Sequence, residues 1–325
     1  MTRLSKLYNI PLSTLKLNAR ILREIGLISY GNVKRHEIIR LTPVGKLILK
    51  LLDLEKNSDH LNLSNSYMLL SNDGRDKLSR KIKTNIIKEI TFSKSGHLGA
   101  SLSCADILIC IFEVFNPNIC GSENTLILSK GHAAPALYAV LVEKGILHEE
   151  ELLSLRKLGS RLQGHPEKRF IPEVCVSTGS LGQGLSIGVG VAIGKKLKNR
   201  SGKVIVLLGD GELDEGQIWE AAMTASTYCL DNLIAIVDRN SKQLNGDTEE
   251  IKKKEPLVEK WVSFGWNVIL VDGHNIPTLM RTLINLKAKQ TKPTIIIANT
   301  KRNGNMPLLS SNLLHHVSSY DGSKE

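Results

Sequence analysis

Residues 204–240 read VIVLLGDGELDEGQIWEAAMTASTYCLDNLIAIVDRN, and this stretch decides the fold. Val204–Leu208 and Leu233–Val237 are short apolar runs rich in β-branched residues, as expected of strands buried on both faces. Between them, Gly216 to about Leu230 has helical length and no proline. Strand, helix and strand in this order form a right-handed parallel crossover, which brings both strand C-termini to one sheet edge. That edge collects Asp210 from the first strand and Asn240 from the second. Glycines on both sides of Asp210 let backbone approach a ligand closely. Hard oxygen ligands suit Mg²⁺ or Ca²⁺, often held through a phosphate of a substrate or cofactor. A GDG triplet alone is common in loops, so its weight comes from the surrounding strands, helix and Asn240.

Outward from this unit, helical and strand-like segments alternate to about Asn299, the pattern of an α/β domain with a mostly parallel sheet flanked by helices. The chemistry-bearing residues fall in the loops between them. SGHLGASLS (95–103) places His97 before an apolar helical stretch from Ala105 to Val114. LSKGHAAPALYAVL (128–141) places His132 between the strand-like Leu126–Leu128 and another helix. GHPE (164–167) carries His165, and STGSLGQGLSIGVG (177–190) leads into a glycine-rich helix from Leu185 to Gly194. One loop histidine means little. Three, each beside a glycine between regular elements, point to a site, because loops on a rigid scaffold carry catalytic groups.

The 204–240 unit resembles the thiamine diphosphate motif, and the five segments occur in the order found in transketolases. The resemblance covers 77–298, about two thirds of the chain. It implies a thiamine diphosphate-binding fold and transfer of a two-carbon unit from a ketose to an aldose, with sugar phosphates as substrates. Asp210 and Asn240 match its metal ligands for Mg²⁺ or Ca²⁺, with a backbone carbonyl near Lys242 as the third. Gly211 matches a diphosphate contact. Gly179 and Leu181 match the loop whose amides and apolar side chain meet the cofactor. His97, His132 and His165 match the active-site histidines, His132 also approaching the diphosphate. Glu215 matches the acid that links cofactor sites across the interface between protomers. The family's further histidine, in the loop after strand Thr294–Ala298, falls nearest to His315, where KRNGNMPLLSSNLLHHVSSYDG (301–322) departs from the pattern.

The resemblance is to the N-terminal subunit of a split transketolase. It implies a separate C-terminal subunit carrying the pyrimidine-binding domain, in an α₂β₂ assembly without which the chain is inactive. The runners-up are a regulator that uses the domain to sense a metabolite, and another thiamine diphosphate enzyme such as a deoxyxylulose-phosphate synthase or an apulose-phosphate-type transketolase. The GHPE loop favours transketolase over the synthase.

Composition agrees with an ordinary globular protein of more than one domain: 325 residues, 42% apolar and 23% charged. No uninterrupted apolar run of bilayer-spanning length stands out and no signal-peptide pattern opens the chain, so no membrane partner is expected. Five cysteines (Cys104, Cys110, Cys120, Cys175, Cys229) show no CxxC pair, which suits reduced thiols in the cytoplasm, most of them core residues.

The charge is uneven. Residues 1–60 hold 11 Lys and Arg against 5 acids, more than half of the chain's net +11. Ser13–Ile25 reads as a helix ended by Gly26, and Leu27–Tyr30 can pair with Glu37–Leu41 around a basic tip at Lys34 and Arg35. Thr42-Pro43 then opens a last helix. Residues 1–56 resemble a winged helix-turn-helix domain without its usual first helix, which implies DNA as a partner, through the helix bearing Lys16, Asn18 and Arg20. Residues 57–76 are polar and turn-rich and read as a linker, with Tyr67–Leu70 as an apolar patch able to dock on a neighbour. Residues 77–325 form the transketolase-like domain.

Overall fold

The computed structural model describes residues 28–29, 40–42, 72–117, 123–243, 246–288 and 290–306. The helices and tip expected of a winged helix-turn-helix, the 67–70 patch, Cys120 and His315 lie outside the described residues. In the first 60 residues, β1 (Ile28–Ser29) and β2 (Arg40–Leu41) pair antiparallel, Ile28 opposite Leu41, in agreement with the expected hairpin.

From residue 72 onward the elements are α1 (Asn72–Ser93), α2 (Leu98–Phe115), β3 (Thr125–Leu128), α3 (Ala134–Glu143), α4 (Gln183–Leu197), β4 (Val204–Gly209) and α5 (Gly216–Thr227). They continue with β5 (Leu233–Arg239), β6 (Lys242–Gln243), β7 (Gly246–Asp247), α6 (Thr248–Ile251), α7 (Leu257–Ser263), β8 (Asn267–Asp272), α8 (Ile276–Asn285) and β9 (Thr294–Asn299). Helix α1 begins within the turn-rich stretch 57–76. Helices α2 and α4 start earlier than the apolar runs suggested, because their first turns are the polar, glycine-bearing motif residues.

Strands β3, β4, β5, β9 and β8 form one parallel sheet in that spatial order. The 204–240 unit is its centre, with Val204 opposite Leu233 and Gly209 opposite Asp238. The two-residue period of the strands divides the core into two layers. Ile205, Leu207, Ile234, Ile236 and Ile296 face the layer built with α1, α2, α3 and α8. Val204, Val206, Leu208, Leu233, Val237 and Ile297 face α4, α5 and α7. Strands covered on both faces have no polar side to show, which is why they read as continuous apolar runs.

Helix α2 is 18 residues long with mean hydropathy 1.9, enough to cross a membrane by length and composition. Asp106 and Glu113 interrupt its apolar run in the sequence. In the fold both are buried and ion-paired, Asp106 to Lys83 at 2.7 Å and Glu113 to Arg75 at 2.9 Å. With 94% of it buried, α2 is a core helix. The thiols also divide: Cys104 and Cys110 are buried, whereas Cys229 is exposed.

Helix α1 carries an unusual pair. Asn85 and Glu89, one turn apart, are fully buried, and none of their side-chain polar atoms has a hydrogen-bond partner among the described residues. Burial therefore holds the Glu89 carboxyl well above the usual carboxylate range. The unfolded chain releases this proton near pH 4.3 while the fold retains it, so the stability contribution present at low pH is lost as pH rises toward the folded value. Glu89→Gln should therefore raise unfolding free energy by about 1–3 kcal/mol at pH 7 and by much less near pH 4.5. Urea melts at both pH values check this; an equal gain at both would contradict it.

Candidate active site

The C-terminal edge of the sheet delivers the motif loops to one place, as open parallel sheets do. After β3 come Ser129, Lys130 and a single 3₁₀ turn, Gly131–Ala133. After β4 come Asp210 and a second 3₁₀ turn, Gly211–Asp214. After β5 come Asn240, Ser241 and the β6–β7 pair. A cavity of about 740 Å³ opens over these loops. It is lined by His97, His132, His165, Gly179, Leu181, Asp210, Gly211, Glu215, Asn240 and Lys242, together with residues not expected from sequence: Arg156, Arg302, Glu212 and Asp214. Every expected site residue within the described part thus meets in one cavity.

Beneath the cavity lies a buried charge pair. The Lys130 ammonium and the Asp238 carboxylate, 1% and 0% exposed, are in direct contact. Asp238 also accepts from Ser103 on α2, from Thr300 after β9, and from the Asn240 amide nitrogen at 3.3 Å. Burial opposes the Lys130 charge, yet Asp238 holds its pKa above the usual value. Because the Asn240 nitrogen is engaged by Asp238, its oxygen turns the other way, accepting the Lys242 N–H at 3.0 Å. Asp210 is 1% exposed. Burial and the neighbouring Asp238 push its carboxyl up to about 6, against the opposing pull of Lys130, the Ser241 N–H and Arg239. A buried carboxylate with that much negative charge beside it favours an added cation.

Arg239, buried at the end of β5, was not expected from sequence. Its guanidinium lies 3.4 Å from Asp210, 2.9 Å from Glu249 and 3.1 Å from Glu255, tying the 248–255 segment to the edge loops.

The histidines form the opposite wall. The His97 and His132 rings meet edge to face with centroids 5.2 Å apart. Burial lowers the His97 pKa, and Arg156, His165 and Arg302 lower it further. His165 is lowered by burial and Arg156. His132 is driven down to about 2 by burial, with Lys130 and the other two histidines adding to the effect. All three imidazoles are therefore neutral at pH 7. The loop joining the two walls packs without spare room: a Cβ on Gly131 would lie 2.8 Å from the Gly179 nitrogen, and one on Gly179 (φ +148°) would lie 3.1 Å from the His165 ring. Gly211 has the Gln243 side chain 3.0 Å from where a Cβ would stand.

Residues 75–319 match the family described as the transketolase thiamine diphosphate binding domain. The chain belongs to the transketolase family. Among relatives, it is 38% identical over 229 residues to one of the subunits of the apulose-4-phosphate transketolase of Phocaeicola vulgatus, an overlap covering 69% of this chain and 81% of that one. It is 40% identical to the 6-deoxy-6-sulfo-D-fructose transketolase subunit SqwG of a Clostridium species, covering 67% of this chain and 83% of that one. In structure it is similar to a Pichia stipitis transketolase complexed with sedoheptulose-7-phosphate, at TM-score 0.64 and 30% identity over 72% of this chain and 36% of that one. It is also similar to Campylobacter jejuni transketolase, at TM-score 0.66 and 27% identity over 77% and 46%. The chain thus spans less than half the length of these solved transketolases.

The cofactor of this domain is thiamine diphosphate with a divalent metal, and the residues present fit it. The Asp210 carboxylate and the Asn240 amide oxygen, with the Lys242 carbonyl, are hard oxygen donors drawn from two adjacent loops. Among the described residues no group of three His, Cys, Asp or Glu side chains is placed to hold a metal by itself. Gly211 and Gly179 present bare backbone to the cavity.

The neutral His132 has a direct consequence. Across pH 5–8, the ring signals of His132 should stay at their neutral-imidazole positions in ¹³C-histidine NMR, while a free-histidine standard titrates. Titration of the His132 ring in that range would overturn the assignment.

Proposed function

We propose that this chain is the diphosphate- and metal-binding subunit of a two-chain transketolase, which moves a two-carbon ketol unit from a ketose to an aldose. The observation that carries this reading is the convergence of His97, His132 and His165 with Asp210 and Asn240 on one cavity. Relatives most of whose length this chain covers are themselves named as subunits. A C-terminal subunit with the pyrimidine-binding domain completes the site, in an α₂β₂ assembly, and Glu215, exposed at the cavity, suits a link across that interface.

When bound, thiamine diphosphate would supply the nucleophilic carbon that two-carbon transfer requires. Asp210, Asn240 and the Lys242 carbonyl would hold the divalent metal, Mg²⁺ being the expected ion. His97 and His165, neutral near pH 7, accept protons from sugar hydroxyls and return them. Burial and the nearby Lys130 hold the His132 imidazole neutral in this chain, which suits a role in orienting bound groups by hydrogen bonding. Arg156 and Arg302 add positive charge to the wall, which suits an anionic sugar. A phosphate and a sulfonate occur in the relatives' names.

Co-expression with a chain bearing the pyrimidine-binding domain, followed by a two-carbon transfer assay, tests the reading. Activity is expected only for the pair, and Asp210→Ala or His132→Ala in this chain should lower kcat/KM by at least roughly 100-fold. Full activity of this chain alone, or of the Asp210→Ala pair, would sink it.

The basic charge of residues 1–60 favours a second, additional role, DNA binding through a winged helix over residues 1–56. A gel shift with the promoter of the encoding gene should then weaken steeply between about 50 and 200 mM salt. Equal retardation at both concentrations, or none at either, would exclude it.

A further inference from the structure

Glu212 lies one residue beyond the diphosphate contact Gly211 and is 2% exposed. Its carboxylate accepts from three donors on three loops. One oxygen takes the Ser129 hydroxyl, from the loop after β3, and the Gly182 N–H at 2.9 Å, from the loop before α4. The other takes the Gly209 N–H at 3.0 Å, at the end of β4. Each donor stands close to a residue that faces the cavity: His132 follows Ser129 by three positions, Leu181 precedes Gly182, and Asp210 follows Gly209.

Two features of the neighbourhood show that this geometry is constrained. Gly182 has φ +85°, and a Cβ there would lie 2.7 Å from the Glu215 Cβ, so the loop can turn at this point only as glycine. Gly182 is also the N-cap residue of the 15-residue helix α4 and makes no side-chain cap. Glu212 therefore acts as a cap delivered from another loop, placing a carboxylate at the positive end of α4. The hydrophobic layers account for the strands and for α4; at the loop tips the Glu212 bonds act together with the Thr178 hydroxyl on the Leu128 carbonyl at 2.7 Å and the Lys130 N–H on the Leu207 carbonyl at 3.2 Å.

We propose that Glu212 is a positioning residue that locks the three cofactor loops to one another, so that the histidine wall, the Leu181 loop and the metal-binding edge keep one spacing before cofactor arrives. No other carboxylate among the described residues receives donors from all three loops. The proposal rests on the cofactor role of these loops and not on the identity of the sugar or of the partner chain.

Glu212→Gln keeps the size but replaces one acceptor oxygen with a donor, so at least one backbone N–H must face an N–H. Ser129→Ala removes one limb and leaves both amides bonded. Hydrogen–deuterium exchange on the full-length chain reads the lock directly and needs no turnover. In Glu212→Gln, amides in 177–183 and 205–211 should exchange at least roughly 10-fold faster, with 72–93 and 267–272 unchanged, as loss of a buried charge-assisted hydrogen bond predicts. Titration with thiamine diphosphate and Mg²⁺, on the chain with its co-expressed partner, should show a roughly 10-fold weaker apparent affinity for Glu212→Gln and about 3-fold for Ser129→Ala. At saturating cofactor, kcat should be largely restored, which a general folding defect would not allow. Unchanged exchange in 177–183 and 205–211 would overturn the proposal, as would faster exchange spread over the whole sheet. An inactive pair with the expected exchange pattern would instead count against the two-chain enzyme reading alone.

Discussion

The site depends on one buried carboxylate. Asp238, at the C-terminal end of the central strand β5, has no solvent exposure and gathers donors from α2, from the β3 loop, from Asn240 and from the segment after β9. Four separate parts of the chain thus share one anchor beneath the cavity. An unpaired carboxylate in this place would cost several kcal/mol, and the buried Lys130 supplies the countercharge. The hydroxyls and the amide then fill the remaining lone pairs. A buried ion pair contributes little net stability by itself. Its contribution here is directional: it decides which way Asn240 points, and with it where the amide oxygen stands.

Around that anchor the charges are layered. Asp238 and Lys130 cancel at the base. Above them, Asp210 is shared among the Gly211 and Ser241 amides and the Arg239 guanidinium, and its environment still leaves the carboxylate short of positive charge. Across the cavity the histidines face the opposite field, since arginines and a lysine beside them disfavour protonation. The cavity thus has one wall short of cations and one of neutral imidazoles near arginine, a division that suits the proposed metal diphosphate. The separation follows from topology, because the edge that bears Asp210 and Asn240 comes from β4 and β5 while His97 comes from the start of α2.

Much of this is legible in the sequence. The all-apolar character of Val204–Leu208, Leu233–Val237 and Thr294–Ala298 marks strands covered on both faces, and the order of the loop motifs picks out the cavity residues. Other features have no local signal. Arg156 is exposed, has left-handed backbone (φ +57°) and lines the cavity with the histidines, and its position in a polar turn gives no hint of this. Arg239 reads as a solvated end of a strand, but it is buried among Asp210, Glu249 and Glu255. Glu89 breaks the apolar face of α1 with no sequence feature to announce that its carboxyl is buried without a hydrogen-bond partner among the described residues.

The sequence by itself determined the elements, the parallel crossover and which loops carry chemistry, because periodicity, glycine placement and strand composition act over a few residues. Tertiary structure alone decided how those loops meet. The orientation of Asn240, the neutrality of His132 and the three-loop contact of Glu212 each depend on groups far apart in the chain, brought together by packing of the two layers on the sheet. Hydrogen-bond direction and burial are properties of that assembled edge, and no local stretch of sequence encodes them.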